Sequence, residues 1–344
     1  MLHLACLLVA AAVDLSGIVT VLNTPFRHDG YLDTHGLAKN VEVALAARVR
    51  GFLVPAKAAE VDSLSLPERE TMVRTVVTTV KTSTALAEKP PVIICGVYAS
   101  EPDERLRYVA RWSQLNCSGV LLNVAYKGDD LAFEAAVVAV ANALPAGMFL
   151  QLQDLNFTGT GLPLDLVLQL WRRLPSSFIS IKIETVNAAH KASLVLHATA
   201  GPRQLNVATG WAVTSMVQAF DRGVTTVMPT AMHALYTGVY ELYFGRTPSR
   251  APASRERVAC LHSKMLRVLV FSNSALNVSI VYFKQLLHTQ SVYSTPLTRI
   301  APDPFDTWDR REAGGWPINA MPHAAPFHAR AGLNLYLIPT LKPR

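Results

Sequence analysis

From residue 17 onward the chain alternates short runs rich in β-branched residues with amphipathic stretches of helical period. Repeated alternation of this kind marks a parallel sheet covered by helices. Eight such runs fall at 18–22, 51–55, 92–97, 119–123, 148–153, 178–184, 205–208 and 225–228. An open sheet of eight parallel strands would expose two edges, whereas eight is a number that closes into a packed barrel. The expected fold is therefore α/β, a (β/α)8 TIM barrel spanning 17–230, within the size of one such domain.

The connecting segments carry helix punctuation. Ser65-Leu66-Pro67-Glu68 reads as a capping box opening a helix that runs to about Ser83. Asp130 is expected to cap an Ala- and Val-rich helix ending near Leu144, and Pro163 to open another that stops before Pro175. After the eighth run, helical patterns at 231–244, 254–272 and 275–288 form an appended bundle within 231–290, broken by the turn-rich stretch 245–252. Residues 291–344, dense in Pro, Gly, His and Arg without a sustained period, read as an irregular tail. No repeat of solenoid period is present.

The first 16 residues are an apolar extension. Their core, LACLLVAAAV, resembles the apolar region of an export signal, but no Lys or Arg precedes it, and Asp14 cuts the run short of the roughly 20 residues a membrane span needs. The reading adopted is an extension packed on a cytoplasmic barrel, with an export signal as the alternative.

Half of the 344 residues are apolar, which supplies one large core and leaves little room for a second domain. The net charge of +7 comes from scattered Lys and Arg, so no nucleic-acid footprint is read. Cysteines stand at 6, 95, 117 and 260 without a CxxC pair. That pattern argues against a zinc site or a disulfide framework, and Cys95 and Cys117 read as buried thiols of a reducing compartment.

The sixth run carries the chemistry. In Phe178-Ile179-Ser180-Ile181-Lys182-Ile183-Glu184, alternation sets the three isoleucines on one face and Ser180, Lys182 and Glu184 on the other. The isoleucines belong under the helices, so Lys182 points into the barrel near the C-terminal strand end, where barrel active sites are built. A desolvated lysine sheds its proton more readily, and a neutral amine is the nucleophile that forms an imine with a ketone. The alternative is a lysine paired with Glu184 or extended out of the barrel mouth.

Over residues 17–245 the chain resembles the dihydrodipicolinate synthase and N-acetylneuraminate lyase superfamily. The likeness rests on Thr24-Pro25-Phe26 followed by Asp29-Gly30, on Leu64-Ser65-Leu66-Pro67-Glu68-Arg69, on Ile181-Lys182, and on 223–229. It implies that Lys182 forms a Schiff base with pyruvate or a related 2-keto acid, and that the protein is a homodimer or homotetramer. Departures accompany it. Where members carry Gly-Thr-Thr-Gly-Glu to hold the keto-acid carboxylate, this chain has Ala56-Lys57-Ala58-Ala59-Glu60. The proton-relay tyrosine of the fifth strand is replaced by Gln153 or Asp154, and Asp154 is preferred because a carboxylate can titrate near neutrality and an amide cannot. The arginine that grips the aldehyde in true dihydrodipicolinate synthases falls near Thr158-Gly159, with no basic residue between Lys127 and Arg172. A poor dihydrodipicolinate synthase is therefore expected.

The substrate-binding candidates are Thr24, Lys57, Ala58, Ala59, Tyr126, Glu184 and Gly210. Lys57 is read as a carboxylate-holding charge or an exposed loop lysine, Tyr126 as standing near the tyrosine that, in the family it resembles, a neighbouring subunit contributes or as a packed loop aromatic, and Gly210 as permitting close approach of a ligand, with Trp211 flooring the pocket. The expected activity is a Schiff-base lyase or aldolase joining or cleaving a 2-keto acid and an aldehyde. A 2-keto-acid or sugar-acid dehydratase on the same scaffold, or a barrel that binds a keto acid without turnover, are the alternatives. Neither a metal nor an organic cofactor is expected, because the imine itself serves as electron sink.

Overall fold

Each of the eight β-branched runs forms a strand. The computed structural model describes residues 13–84, 89–245, 252–301, 303–306 and 309. The strands are β1 (Gly17–Val21), β2 (Gly51–Leu53), β3 (Val92–Tyr98), β4 (Gly119–Asn123), β5 (Phe149–Asn156), β6 (Phe178–Thr185), β7 (Asn206–Thr209) and β8 (Thr226–Val227). They pair in parallel in sequence order, and β8 returns to β1 to close the barrel. Between them lie α1 (Thr34–Ala46), α2 (Leu66–Thr82), α3 (Pro102–Gln114), α4 (Asp130–Ala143), α5 (Leu164–Arg173), α6 (Ala188–Ala198) and α7 (Met216–Asp221), followed by the appended α8 (His233–Phe244), α9 (Pro252–Ser272) and α10 (Leu276–Thr289). Among the described residues no single helix is long and apolar enough to cross a membrane.

The capping box at Ser65 is present, with Ser65 N donating to Glu68 Oε2 at 2.9 Å. The fourth helix is capped one residue earlier than expected: the Asp129 side chain accepts from Ala132 N at 2.9 Å, which leaves Asp130 as the first helical residue.

The barrel interior is polar below the lysine. Gln151 on β5 donates to Ser180 on β6 at 2.8 Å, Ser180 to Asn206 on β7 at 2.9 Å, and Asn206 to Thr226 on β8 at 2.9 Å. This transverse chain fixes the strand-end side chains above it, because buried polar groups that satisfy one another resist displacement.

The appended bundle is tied back to the barrel by ion pairs. Lys284 on α10, fully buried, meets Glu60 at 2.6 Å, and Glu60 also accepts from Arg299 N at 2.6 Å. The first part of the irregular tail is thereby an ordered strap, in which Tyr293 Oη donates to Asn23 O at 2.9 Å and Thr295 Oγ1 to Phe26 O at 2.6 Å. The apolar stretch 1–12, residues 246–251 of the turn-rich link and residues 310–344 of the tail lie outside the described residues.

The reading of Cys95 and Cys117 as free thiols is corrected. The two form a disulfide, with Cα atoms 6.1 Å apart. Cys95 is on the outward face of β3, while Cys117 sits in the turn that feeds β4, the strand that pairs with β3. A separation of 22 residues hides that adjacency in the sequence, and the argument for a reducing compartment falls with the thiols. Cross-linking a loop of this length constrains the unfolded chain, so reduction is expected to lower the unfolding free energy by about 3 kcal/mol. Urea unfolding with and without reductant measures it, and coincident curves would contradict it.

Candidate functional site

Alternation along β6 turns Ser180, Lys182 and Glu184 inward, all buried, with Lys182 only 5 % exposed. Lys182 Nζ lies 3.0 Å from Glu184 Oε1. Glu184 is held at both oxygens: Oε2 accepts from Gln153 Nε2 at 2.7 Å, and Oε1 also accepts from the backbone N of Trp211 at 3.0 Å. A carboxylate with that many donors stays in one orientation and holds the amine beside it.

These groups open onto a cavity at the C-terminal end of the barrel, where barrel active sites are built. Lys57, Ala58 and Gly210 line it together with Lys182, Glu184 and Gln153. Lys57 Nζ is paired with Asp62 at 2.8 Å and lies 5.4 Å from the centre of the Tyr98 ring. Gly210 abuts the pair directly, since a Cβ there would come within 2.9 Å of Lys182 Nζ.

Three of the substrate-binding candidates lie elsewhere. Thr24 Oγ1 donates to Ala59 O at 2.5 Å, so both residues are spent fixing the turn that carries Lys57 and Ala58, and neither lines the cavity. Tyr126 stands on the β4–α4 connection, where its hydroxyl donates to Asp130 at 2.6 Å. The preference for Asp154 is also corrected. On β5, Gln151 and Gln153 face the interior and Asp154 faces outward, where it meets Lys191 of α6 at 2.5 Å and accepts from Leu162 N at 2.9 Å. One residue of register separates the two faces of a strand.

Lys191 lies largely covered in this pair: its side chain is 12 % exposed and also donates to Thr160 O and Leu162 O. Burial pushes the Asp154 carboxyl above its ordinary range, and the Lys191 ammonium opposes that. The pair pins the β5–α5 connection. Asp154→Asn leaves a buried ammonium without its counter-charge and is expected to reduce stability by about 3 kcal/mol, with imine formation at Lys182 retained below the melting temperature. A thermal melt beside an adduct assay checks this, and loss of the adduct in a folded variant would return Asp154 to the site.

Several lining residues were not anticipated. Tyr98, at the C-terminal end of β3, is buried, and its hydroxyl, beside the Lys57 backbone N–H, has no acceptor for its proton. Burial, reinforced by the nearby Glu184 carboxylate, pushes its ionisation well above the ordinary phenol range, so it stays protonated. The inward series Ile94, Gly96, Tyr98 was a usable signal, by the same alternation that found Lys182. Gln153 Oε1, Tyr236 Oη and Asn273 Nδ2 also line the cavity, buried and unpartnered. Tyr236 comes from α8 and Asn273 from the α9–α10 turn, and no local pattern reveals that these helices roof the barrel. Among the described residues no cluster of His, Cys, Asp or Glu has metal-binding arrangement.

The sequence profile of the dihydrodipicolinate synthetase family matches residues 14–89. No curated protein matches the chain in sequence. Among solved structures, dihydrodipicolinate synthase from Rhodopseudomonas palustris superposes with a TM-score of 0.74 at 16% identity, over 87% of this chain and 96% of that one. Ruminococcus gnavus sialic acid aldolase, solved as a catalytic lysine mutant, gives 0.74 at 12% identity over 88% and 94%. The 4-hydroxy-tetrahydrodipicolinate synthase of Methylacidiphilum fumariolicum SolV gives 0.71 at 17% identity over 88% and 94%. The resemblance read from the motifs is thus matched by the family profile at the N-terminal end, and the barrel by the folds of these enzymes.

Proposed function

We propose that this barrel, with the fold of the dihydrodipicolinate synthase and N-acetylneuraminate lyase superfamily, is a Schiff-base lyase that attaches a 2-keto acid such as pyruvate to Lys182. The observation that carries the reading is the amine itself, buried at the C-terminal mouth of the barrel, held 3.0 Å from Glu184 and facing a cavity. The solved sialic acid aldolase with its mutated catalytic lysine lends support by fold.

The chemistry follows from the neighbours. Glu184 takes the proton that the lysine must shed before its lone pair can attack the keto carbon. As the N–C bond forms, the carbonyl π pair moves to oxygen and needs a proton. Tyr98 holds one on a buried hydroxyl whose proton no other group accepts, whereas the Gln153 amide has none to give at neutral pH. The tyrosinate then takes a proton from the nitrogen, Glu184 returns its proton to the hydroxyl, which leaves as water, and the protonated imine draws electrons from the adjacent carbon without any metal or organic cofactor. Lys57, at the cavity wall, is the charge that faces the keto-acid carboxylate.

Pyruvate with sodium borohydride tests the reading, because an imine is reduced to a stable secondary amine that mass mapping finds on Lys182. The role of Tyr98 has its own test. Tyr98→Phe removes a hydroxyl whose proton has no acceptor, so the fold should be kept while adduct formation slows by about 100-fold. Adduct formation at the wild-type rate would remove Tyr98 from the proton path.

A further inference from the structure

We propose that the second substrate is an uncharged, apolar aldehyde with a flat, ring-sized body; the inference rests on the imine reading and deepens it. A keto acid joined to Lys182 already brings one carboxylate into the cavity. Besides Lys182, the described lining residues offer a single cation, Lys57, itself shared with Asp62 at 2.8 Å. A second carboxylate or a phosphate would lie beside the buried Glu184 carboxylate with no counter-charge, an unfavourable placement of like charges. The sequence carries the same constraint: from Lys127 to Arg172 there is no basic residue, so the β5–α5 connection at the mouth brings no cation.

That connection contributes Phe157, whose ring centre lies 4.5 Å from that of Trp211 with the planes at 38°. Leu155, Val213, Leu276 and Phe283 extend the same apolar wall, the last two from α10. Flat apolar walls favour a flat apolar guest, through the area removed from water and ring-on-ring contact. The polar atoms left over are neutral. Tyr236 Oη and Asn273 Nδ2 can donate to a carbonyl or hydroxyl oxygen but cannot neutralise a charge.

In the step itself, Glu184 takes a proton from the carbon next to the imine, and the resulting enamine carbon forms a bond to the aldehyde carbon. The aldehyde π pair moves to oxygen, which takes the Tyr98 proton, and water then hydrolyses the imine to release product. Proton return from Glu184 to Tyr98 through solvent closes the cycle.

The test uses the purified full-length chain with saturating pyruvate and, in turn, butanal, succinic semialdehyde and benzaldehyde, following kcat/KM for condensation. Succinic semialdehyde carries a carboxylate where butanal has a methyl group, so the pair isolates charge. Butanal is expected to exceed succinic semialdehyde by about 100-fold or more, and benzaldehyde to exceed butanal by about 10-fold. Leu276→Arg, which sets a cation at the mouth, should bring succinic semialdehyde to within about 10-fold of butanal. Equal or better use of succinic semialdehyde by the wild type overturns the inference, as does a Lys182 adduct with no turnover of any of the three aldehydes, which would leave the imine reading standing. Absence of the adduct overturns both.

Discussion

Gly210→Ala is expected to fold normally and yet form the pyruvate adduct about 100-fold more slowly than the wild type. The added methyl would fall against Lys182 Cε, Lys182 Nζ and Glu184 Oε1, which are side-chain ends and not backbone. The protein can therefore accommodate it by displacing the pair, and the melting temperature should move little. Displacement is what the site does not tolerate. Glu184 is fixed by Gln153 Nε2 and by Trp211 N, so a shift breaks contacts that orient the amine, and an ångström of misplacement is worth about two orders of magnitude in rate. A folded Gly210→Ala protein with the wild-type adduct rate would show that the close packing of Gly210 on the lysine is incidental. A variant that does not fold would place the importance of the glycine in stability.

Most of the barrel was legible because strand alternation and helix punctuation are local. Ile179, Ile181 and Ile183 against Ser180, Lys182 and Glu184 gave the facing of the lysine strand, and the same rule applied to β3 would have found Tyr98. On β5 the rule was available but was set aside in favour of chemical suitability. Asp154 has the better acid–base group, yet its position is odd to that of the inward Gln151 and Gln153, and it is taken up by Lys191. Facing decides before pKa does.

What the sequence hid was long-range. The Cys95–Cys117 disulfide depends on β3 and β4 being neighbours in register. The Glu60–Lys284 pair joins residues 224 apart, and the roof formed by Tyr236, Asn273 and Phe283 depends on how the appended helices fold back over the mouth. No periodicity within any one segment encodes those contacts. The turn at 56–59 lies between the two cases. Its departure from the family motif was plain, but that Thr24 and Ala59 would satisfy each other, leaving Lys57 and Ala58 to face the cavity, required the packed structure.

The largest effect expected is the loss of imine chemistry in Lys182→Ala, since no other amine can take its place. Lys57 is held by Asp62, Lys191 by Asp154 on the outer side of the barrel wall, and Lys284 by Glu60. Lys284 is the most demanding control. Burial, against the pull of Glu60, lowers its ammonium to about 8, so it yields a neutral amine more readily than an ordinary lysine, but it does not line the cavity. Reactivity without access gives no adduct. Alanine at 182 leaves Glu184 with its Gln153 and Trp211 donors, so the fold should survive and the comparison is clean. The decisive measurement is intact mass and peptide mapping after pyruvate and borohydride, on the wild type and on Lys182→Ala side by side. The account requires a single adduct on the Lys182 peptide and none in the folded variant. An adduct that persists in Lys182→Ala, or that maps in the wild type to Lys57, Lys191 or Lys284, would contradict it.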